Sequence, residues 1–231
     1  MKICVVGGGS AGWITLSYLV ATIDADITIV HSDEVDPIGV GESTTPTIKH
    51  VADTVGVDEK EWMKDAKATF KYGVEFHDWV KPGSRWLHSF DDMIPHQSFN
   101  RPITENGKEL YKKELTSVDY YLKKYGNTKD SKYFNESHGP QEHLLANNLS
   151  PKDKNFKTNI SEYPGYSYHI NAFQFGESLR KHTAKDKFTE IVGTVNKIHT
   201  DKQNISAIEL STGQKIEADI FFDCTGFKRL L

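Results

Sequence analysis

With 231 residues, of which 37% are hydrophobic and 26% charged, and with a net charge of −4, the chain can bury a core of its own. A weakly acidic balance without a basic block argues against nucleic acid as a partner. No window approaches the roughly 20 apolar residues of a membrane span, and the opening "MKICVVGGG" lacks the apolar region and cleavage site of a secretory signal, so a cytoplasmic protein with no membrane partner is expected.

Residues 2–6, "KICVV", predict a short buried strand that runs into "GGGSAGW". The helix expected next, "SAGWITLSYLVAT", places Trp13, Leu16 and Val20 on one face, and "ADITIV" predicts a second buried strand. Strand, glycine turn, helix and strand in so short a stretch make a βαβ unit. In "TPTIKHVADTVGV", Thr45 can cap a helix, Pro46 suits its first position and Gly56 stops it; Ile48, Val51, Ala52 and Val55 share a face. Asp58 and Glu61 then form a capping-box pattern before "WMKDAKATF".

Residues 91–165 are rich in Tyr, Lys, Asn and His with few apolar runs, and predict loops and short helices in a variable insertion. Beyond them, "YHINAFQFGESLRKHTA" reads as a helix. "FTEIVGTVNKIHT", "ISAIELS" and "KIEADI" read as an antiparallel β-meander that leads to a last buried strand before "CTG". No linker separates independent domains, so residues 1–231 are expected to form one domain. Cys4 and Cys224 sit in apolar strand-like runs, as small hydrophobes rather than disulfide partners. His138 and His143 lack the companions of a metal site, and no metal is expected.

The pattern Gly7-x-Gly9-x-x-Gly12 follows a strand and opens a helix, the setting in which it signals a dinucleotide. Gly7 permits the tight turn, Gly9 lets backbone approach a pyrophosphate, and Gly12 lets helix and strand pack closely. Ser10 and Ala11 open the helix, whose free amides and dipole favour an anion. The second strand ends in "TIVHSDE", so His31 stands where an acidic residue normally takes the ribose, with Asp33 and Glu34 just beyond. Adenosine is held by His31, by a shifted carboxylate, or mainly by backbone. "GVGESTTP" supplies Gly39, Val40, Gly41, Glu42 and Ser43 in a loop able to lie along an extended ligand.

Taken with "GGGSAGWITLSYL", this loop resembles the flavin-dependent tryptophan halogenase family, whose members carry "GVGEATIP"; Ser43 stands for Ala and Thr45 for Ile. "EWMKDAKATFKYGVEFHDW" is similar to the family segment that holds its active-site lysine, which aligns with Lys71. "YHINAFQFGESLRKHTA" and "ADIFFDCTGFKRLL" are similar to two further family segments. The resemblance implies an α/β, Rossmann-like FAD-binding fold of the p-hydroxybenzoate-hydroxylase type, with the meander and insertion already noted. It also implies a chemistry in which FADH2 from a separate flavin reductase and oxygen oxidise halide to hypohalous acid. Lys71 then positions the acid, or carries it as a haloamine, toward an aromatic substrate. Val195 is expected near the adenine and Gly226 near the pyrophosphate or flavin ring. Family members are longer, and their W-x-W-x-I-P signature is not in these residues. A second chain that supplies the missing half, a truncated or decayed product, or a piece of a complete enzyme each fits. A hydroxylating FAD monooxygenase and a non-catalytic flavin-binding remnant are the alternatives to a halogenase.

Overall fold

The computed structural model describes residues 1–34, 41–90, 99–105, 108–115, 117–126, 140–157, 165–202 and 204–231, with backbone alone over the described part of 99–120. The chain divides into two compact units, Met1–Thr69 with His169–Leu231, and Phe70–Tyr168.

The first unit is built on a parallel sheet of β1 (Lys2–Val6), β2 (Asp26–His31), β10 (Phe188–Val192) and β14 (Ile220–Asp223), in the order β10-β2-β1-β14. Register pairs Val6 with Val30 and Asp223, and Val192 with His31, so the carboxyl ends of all four strands open at one edge. Ile3, Cys4, Val5, Val6, Ile27, Ile29 and Val30 are all buried, because helices cover one face and a second sheet covers the other.

Alternation along the strands sorts these layers. Cys4, Val6 and Val30 pack with Ile208, Leu210 and Ile216 of an antiparallel meander, β11 (Val195–Asp201), β12 (Asn204–Leu210) and β13 (Lys215–Glu217). His31, Phe188 and Glu190 face the other way, where Trp13 of α1 (Ser10–Thr22) lies T-shaped to Phe188 at 6.5 Å. Beside α1 runs α6 (Ala172–His182); a Cβ added to its Gly176 would stand 3.4 Å from the Ser10 Cα, so glycine there permits close approach. Further along, the Ser17 and Thr183 hydroxyls share a buried 2.7 Å hydrogen bond, so the two helices run parallel.

The helix expected after Thr45 is α2 (Thr47–Val55), with Pro46 at its N-cap and Gly56 left-handed at its C-cap (φ 79°). Asp58 caps α3 (Glu59–Asp65) by accepting from the amides of Lys60 and Glu61. Strand β3 (Gly41–Ser43) pairs antiparallel with β9 (Ser167–Asn171) in the order β3-β9-β4, where β4 is Thr69–Lys71. "YHINAFQFGESLRKHTA" is therefore a strand and then a helix, divided by Asn171, whose side chain caps α6 by accepting from the Gln174 amide.

"FTEIVGTVNKIHT" also splits, after Val192. Its first half joins the parallel sheet as β10, and only its second half opens the meander. The second unit contains the hairpins β5 (Gly73–His77) with β6 (Arg85–Ser89) and β7 (Phe99–Glu105) with β8 (Lys108–Leu115). It also contains the helices α4 (Ser117–Tyr125) and α5 (Gln141–Ala146). The β7–β8 hairpin thus appears where only loops and short helices were expected.

Candidate functional site: a glycine turn at the carboxyl edge of a parallel sheet

β1 ends in Gly7 at φ 123°, a conformation that L side chains rarely adopt. Its amide donates to the Val30 carbonyl at 2.8 Å, and a Cβ there would lie 2.3 Å from the Cys224 carbonyl oxygen. A Cβ on Gly12 would lie 1.8 Å from the Gly7 carbonyl oxygen, so strand, turn and helix close on one another. At Gly9, the N-cap of α1, an added Cβ meets nothing within 4 Å. Two motif glycines are thus filled by protein and the central one faces open space, the arrangement a pyrophosphate needs. The first turn of α1 carries no acidic residue, so the positive end of its dipole, at Ser10 and Ala11, is not compensated locally.

Gly8 was not singled out by the spacing, yet its Cβ would stand 2.6 Å from the His31 Cβ. The unbroken Gly-Gly-Gly run was the available signal. His31 itself lies in a part-buried network. Its Nε2 is 2.9 Å from the Glu190 Oε1, and its ring lies 5.8 Å from that of Trp13. Arg180 donates to the same Glu190 oxygen at 2.5 Å and lies over Trp13, while the Lys185 Nζ is 3.8 Å from the second Glu190 oxygen. Burial pushes the Glu190 carboxyl up, but the hydrogen bond from His31 and the charges of Arg180, Lys185 and His31 outweigh it and hold the group below the usual carboxylate range.

Beyond His31 the chain is tied to the start of the meander. The Gly193 amide donates to the His31 carbonyl at 2.7 Å, and Thr194 hydrogen-bonds both Ser32 and Glu34 at 2.7 Å. Val195, next in sequence, is half-buried at the first position of β11. Glycine turn, His31 and the 193–195 link thus share one edge of the sheet.

At the fourth strand, the Cys224 amide donates to the Val6 carbonyl at 2.8 Å, which seats the "DCTG" turn beside Gly7. The Cys224 thiol lies 3.7 Å from the Thr15 hydroxyl. Asp223 accepts from the Thr225 amide, the Thr225 hydroxyl and the Leu231 amide, at 2.9, 2.5 and 3.0 Å. Burial raises the Asp223 carboxyl, and these hydrogen bonds bring it net below its ordinary value. Gly226 adopts φ 64°, and a Cβ added there would meet nothing within 4 Å. Gly41, Glu42 and Ser43 form exposed strand β3, whereas Gly39 and Val40 lie outside the described residues.

Lys71 belongs to the second unit, at the end of β4. Its Nζ stands 4.9 Å over the Phe90 ring, a cation–π distance, and burial holds the amine below the ordinary lysine value. The flanking backbone is fixed, since the Phe90 amide donates to the Tyr72 carbonyl at 2.8 Å and the Tyr72 hydroxyl donates to the Leu149 carbonyl at 2.5 Å. Among the described residues no group of three or more His, Cys, Asp or Glu is placed to hold a metal, and no helix is long and apolar enough to cross a membrane. His138 lies outside the described residues.

Sheet, glycine turn and meander together define a Rossmann-like, FAD-binding type of α/β fold. The family model for tryptophan halogenase matches residues 2–231, and the chain belongs to that family. It is 30% identical over 240 residues to tryptophan 7-halogenase RebH of Lentzea aerocolonigenes, covering all of this chain and 43% of that protein. Tryptophan 6-halogenase SttH of Streptomyces toxytricini is 30% identical over 243 residues, with 100% and 45% covered. Among solved structures, the tryptophan C-6 flavin-dependent halogenase Tar14 from taromycin biosynthesis superposes with a TM-score of 0.75 at 29% identity, over 98% of this chain and 43% of that one. Xcc4156, a flavin-dependent halogenase from Xanthomonas campestris, gives 0.74 at 27% identity, over 100% and 43%. The chain therefore spans less than half the length of these relatives.

Proposed function

We propose that this chain is the FAD-holding portion of a flavin-dependent halogenase that acts on an electron-rich aromatic substrate. The observation that carries this reading is the family match over residues 2–231 together with a glycine turn closed at Gly7 and Gly12 and open at Gly9. The open turn and the uncompensated N-terminus of α1 suit a pyrophosphate. Val195, His31 and the exposed strand Gly41–Ser43 are proposed to border the rest of the cofactor, with Gly39 and Val40 before that strand and Gly226 on the side of β14. When bound as FADH2 supplied by a separate reductase, the cofactor provides the reducing power by which oxygen oxidises halide. Lys71 then receives the oxidised halogen. Burial holds its amine below the ordinary lysine value, and the neutral form of such an amine can accept a hydrogen bond from hypohalous acid or attack its halogen with release of water. The portion of the family fold beyond these residues, supplied by a continuing chain or a second polypeptide, is proposed to complete the substrate pocket.

The test is product formation by the full-length protein with a flavin reductase, FAD, an aromatic substrate panel and bromide. Bromide-dependent bromination is the expected outcome, and Lys71→Ala should lower it at least about a hundredfold without loss of bound flavin. Hydroxylated product formed without regard to bromide would replace this reading with that of a monooxygenase. A protein that neither retains nor takes up flavin would remove the flavin assignment itself.

A further inference from the structure

The residue that ends β2 is where a dinucleotide fold commonly places the carboxylate for the ribose hydroxyls. Here that place is held by His31, whose Nε2 is engaged with Glu190 and whose side chain is only 9% exposed. A carboxylate is nevertheless available a short way on. Thr194 Oγ1 donates to Glu34 Oε2 at 2.7 Å. With the Thr194 proton so committed, Ser32 Oγ donates to Thr194 Oγ1 at 2.7 Å, and Ser32 Oγ in turn accepts from the Glu34 amide at 3.1 Å. Every proton in this small ring has an acceptor, so the Glu34 backbone and one of its carboxylate oxygens are both tied to the 193–195 link.

The contrast with Asp33 is informative. Asp33 is nearer His31 in sequence, but its side chain is 79% exposed and, among the described residues, approaches His31 alone, at 3.8 Å. A carboxylate held in place loses less freedom on binding than one that swings in water. We propose that Glu34, positioned by the Thr194 hydroxyl, accepts the vicinal hydroxyls of the adenosine ribose, in place of the residue that ends β2. This inference rests on the flavin reading above and adds a selection rule to it. A carboxylate accepts from a diol and repels a 2′-phosphate, so the site takes the unphosphorylated ribose.

The experiment is a flavin-binding titration of the full-length protein with FAD and with an FAD analogue whose adenosine is 2′,3′-dideoxy. Wild type should bind FAD about tenfold tighter than the analogue, the usual worth of hydrogen bonds to a charged acceptor. Glu34→Gln should weaken FAD about tenfold and leave the analogue unchanged, and Thr194→Val should weaken FAD about threefold. The thermal melt of Glu34→Gln should match wild type, because Glu34 is exposed. Three outcomes would overturn the proposal: FAD affinity unchanged in Glu34→Gln, equal losses for FAD and its analogue, or a loss confined to His31→Gln. A wild-type protein that binds neither flavin overturns the flavin reading and this proposal with it.

Discussion

The turn after β1 and the turn after β14 leave neighbouring parallel strands at the same edge, with Val6 opposite Asp223 in the ladder. Both contain a glycine at positive φ, 123° at Gly7 and 64° at Gly226. Around Gly7 the backbone is crowded from two directions, by the Cys224 carbonyl against Gly7 itself and by the Gly7 carbonyl against Gly12. Around Gly226 there is space, and the turn is held instead by the Asp223 carboxylate and the Thr225 hydroxyl, which accepts from the Leu230 amide at 3.1 Å. The first turn is defined by exclusion and the second by hydrogen bonds. The first tolerates almost no substitution, and the second is a matter of backbone preference.

Substitutions that probe this contrast should order themselves accordingly. Gly12→Ala forces a methyl to within 1.8 Å of a backbone oxygen, and it should cost about 4 kcal/mol in urea unfolding or prevent folding altogether. Next, Glu190→Ala leaves Arg180 and His31 without their shared acceptor and should cost about 2 kcal/mol at pH 7. Because the folded Glu190 carboxyl lies below its ordinary 4.5, its contribution is present above that value and is lost as pH falls through the folded one. Wild-type and Glu190→Ala stability curves should therefore converge on acidification below 4.5; a constant gap would show that packing, not charge, carries the effect. Gly226→Ala meets no neighbour and should cost only about 1 kcal/mol, the left-handed preference alone. Asp58→Ala removes the cap on α3 and should likewise cost about 1 kcal/mol. Equal losses for Gly12→Ala and Gly226→Ala would erase the distinction between the two turns.

How far the sequence revealed this arrangement follows from the range of the interactions. Gly7, Gly9 and Gly12, the stop at Gly56 and the cap at Asp58 follow fixed local spacings, and these reveal them. That holds even at Gly7, where the group that forbids a side chain is the distant Cys224 carbonyl. Lys71 shows no such local signature and stood out only through the family resemblance. The His31 network was invisible because Glu190 lies 159 positions away, so nothing near "TIVHSDE" announces that the imidazole is already engaged. Strand β10 was merged with β11 because "FTEIVGTVNKI" is uniformly strand-like; the change of sheet at Gly193 depends on its bond to the His31 carbonyl. The β7–β8 hairpin was missed because its strands, "FNRPITE" and "KELYKKEL", are polar on both faces. The Asn106-Gly107 pair between them was the available clue.

The two cysteines stand on the paired strands β1 and β14 or at their end, and neither is disulfide-bonded. Burial pushes the Cys4 thiol up to about 12 and also raises Cys224, so neither presents much thiolate near neutrality. Alkylating reagents should therefore mark the buried Cys4 only when β1 and β14 part, and the half-buried Cys224 slowly. Cys4 is a built-in clock for the opening of this edge of the sheet, readable by pulsed iodoacetamide and mass spectrometry without any engineered probe.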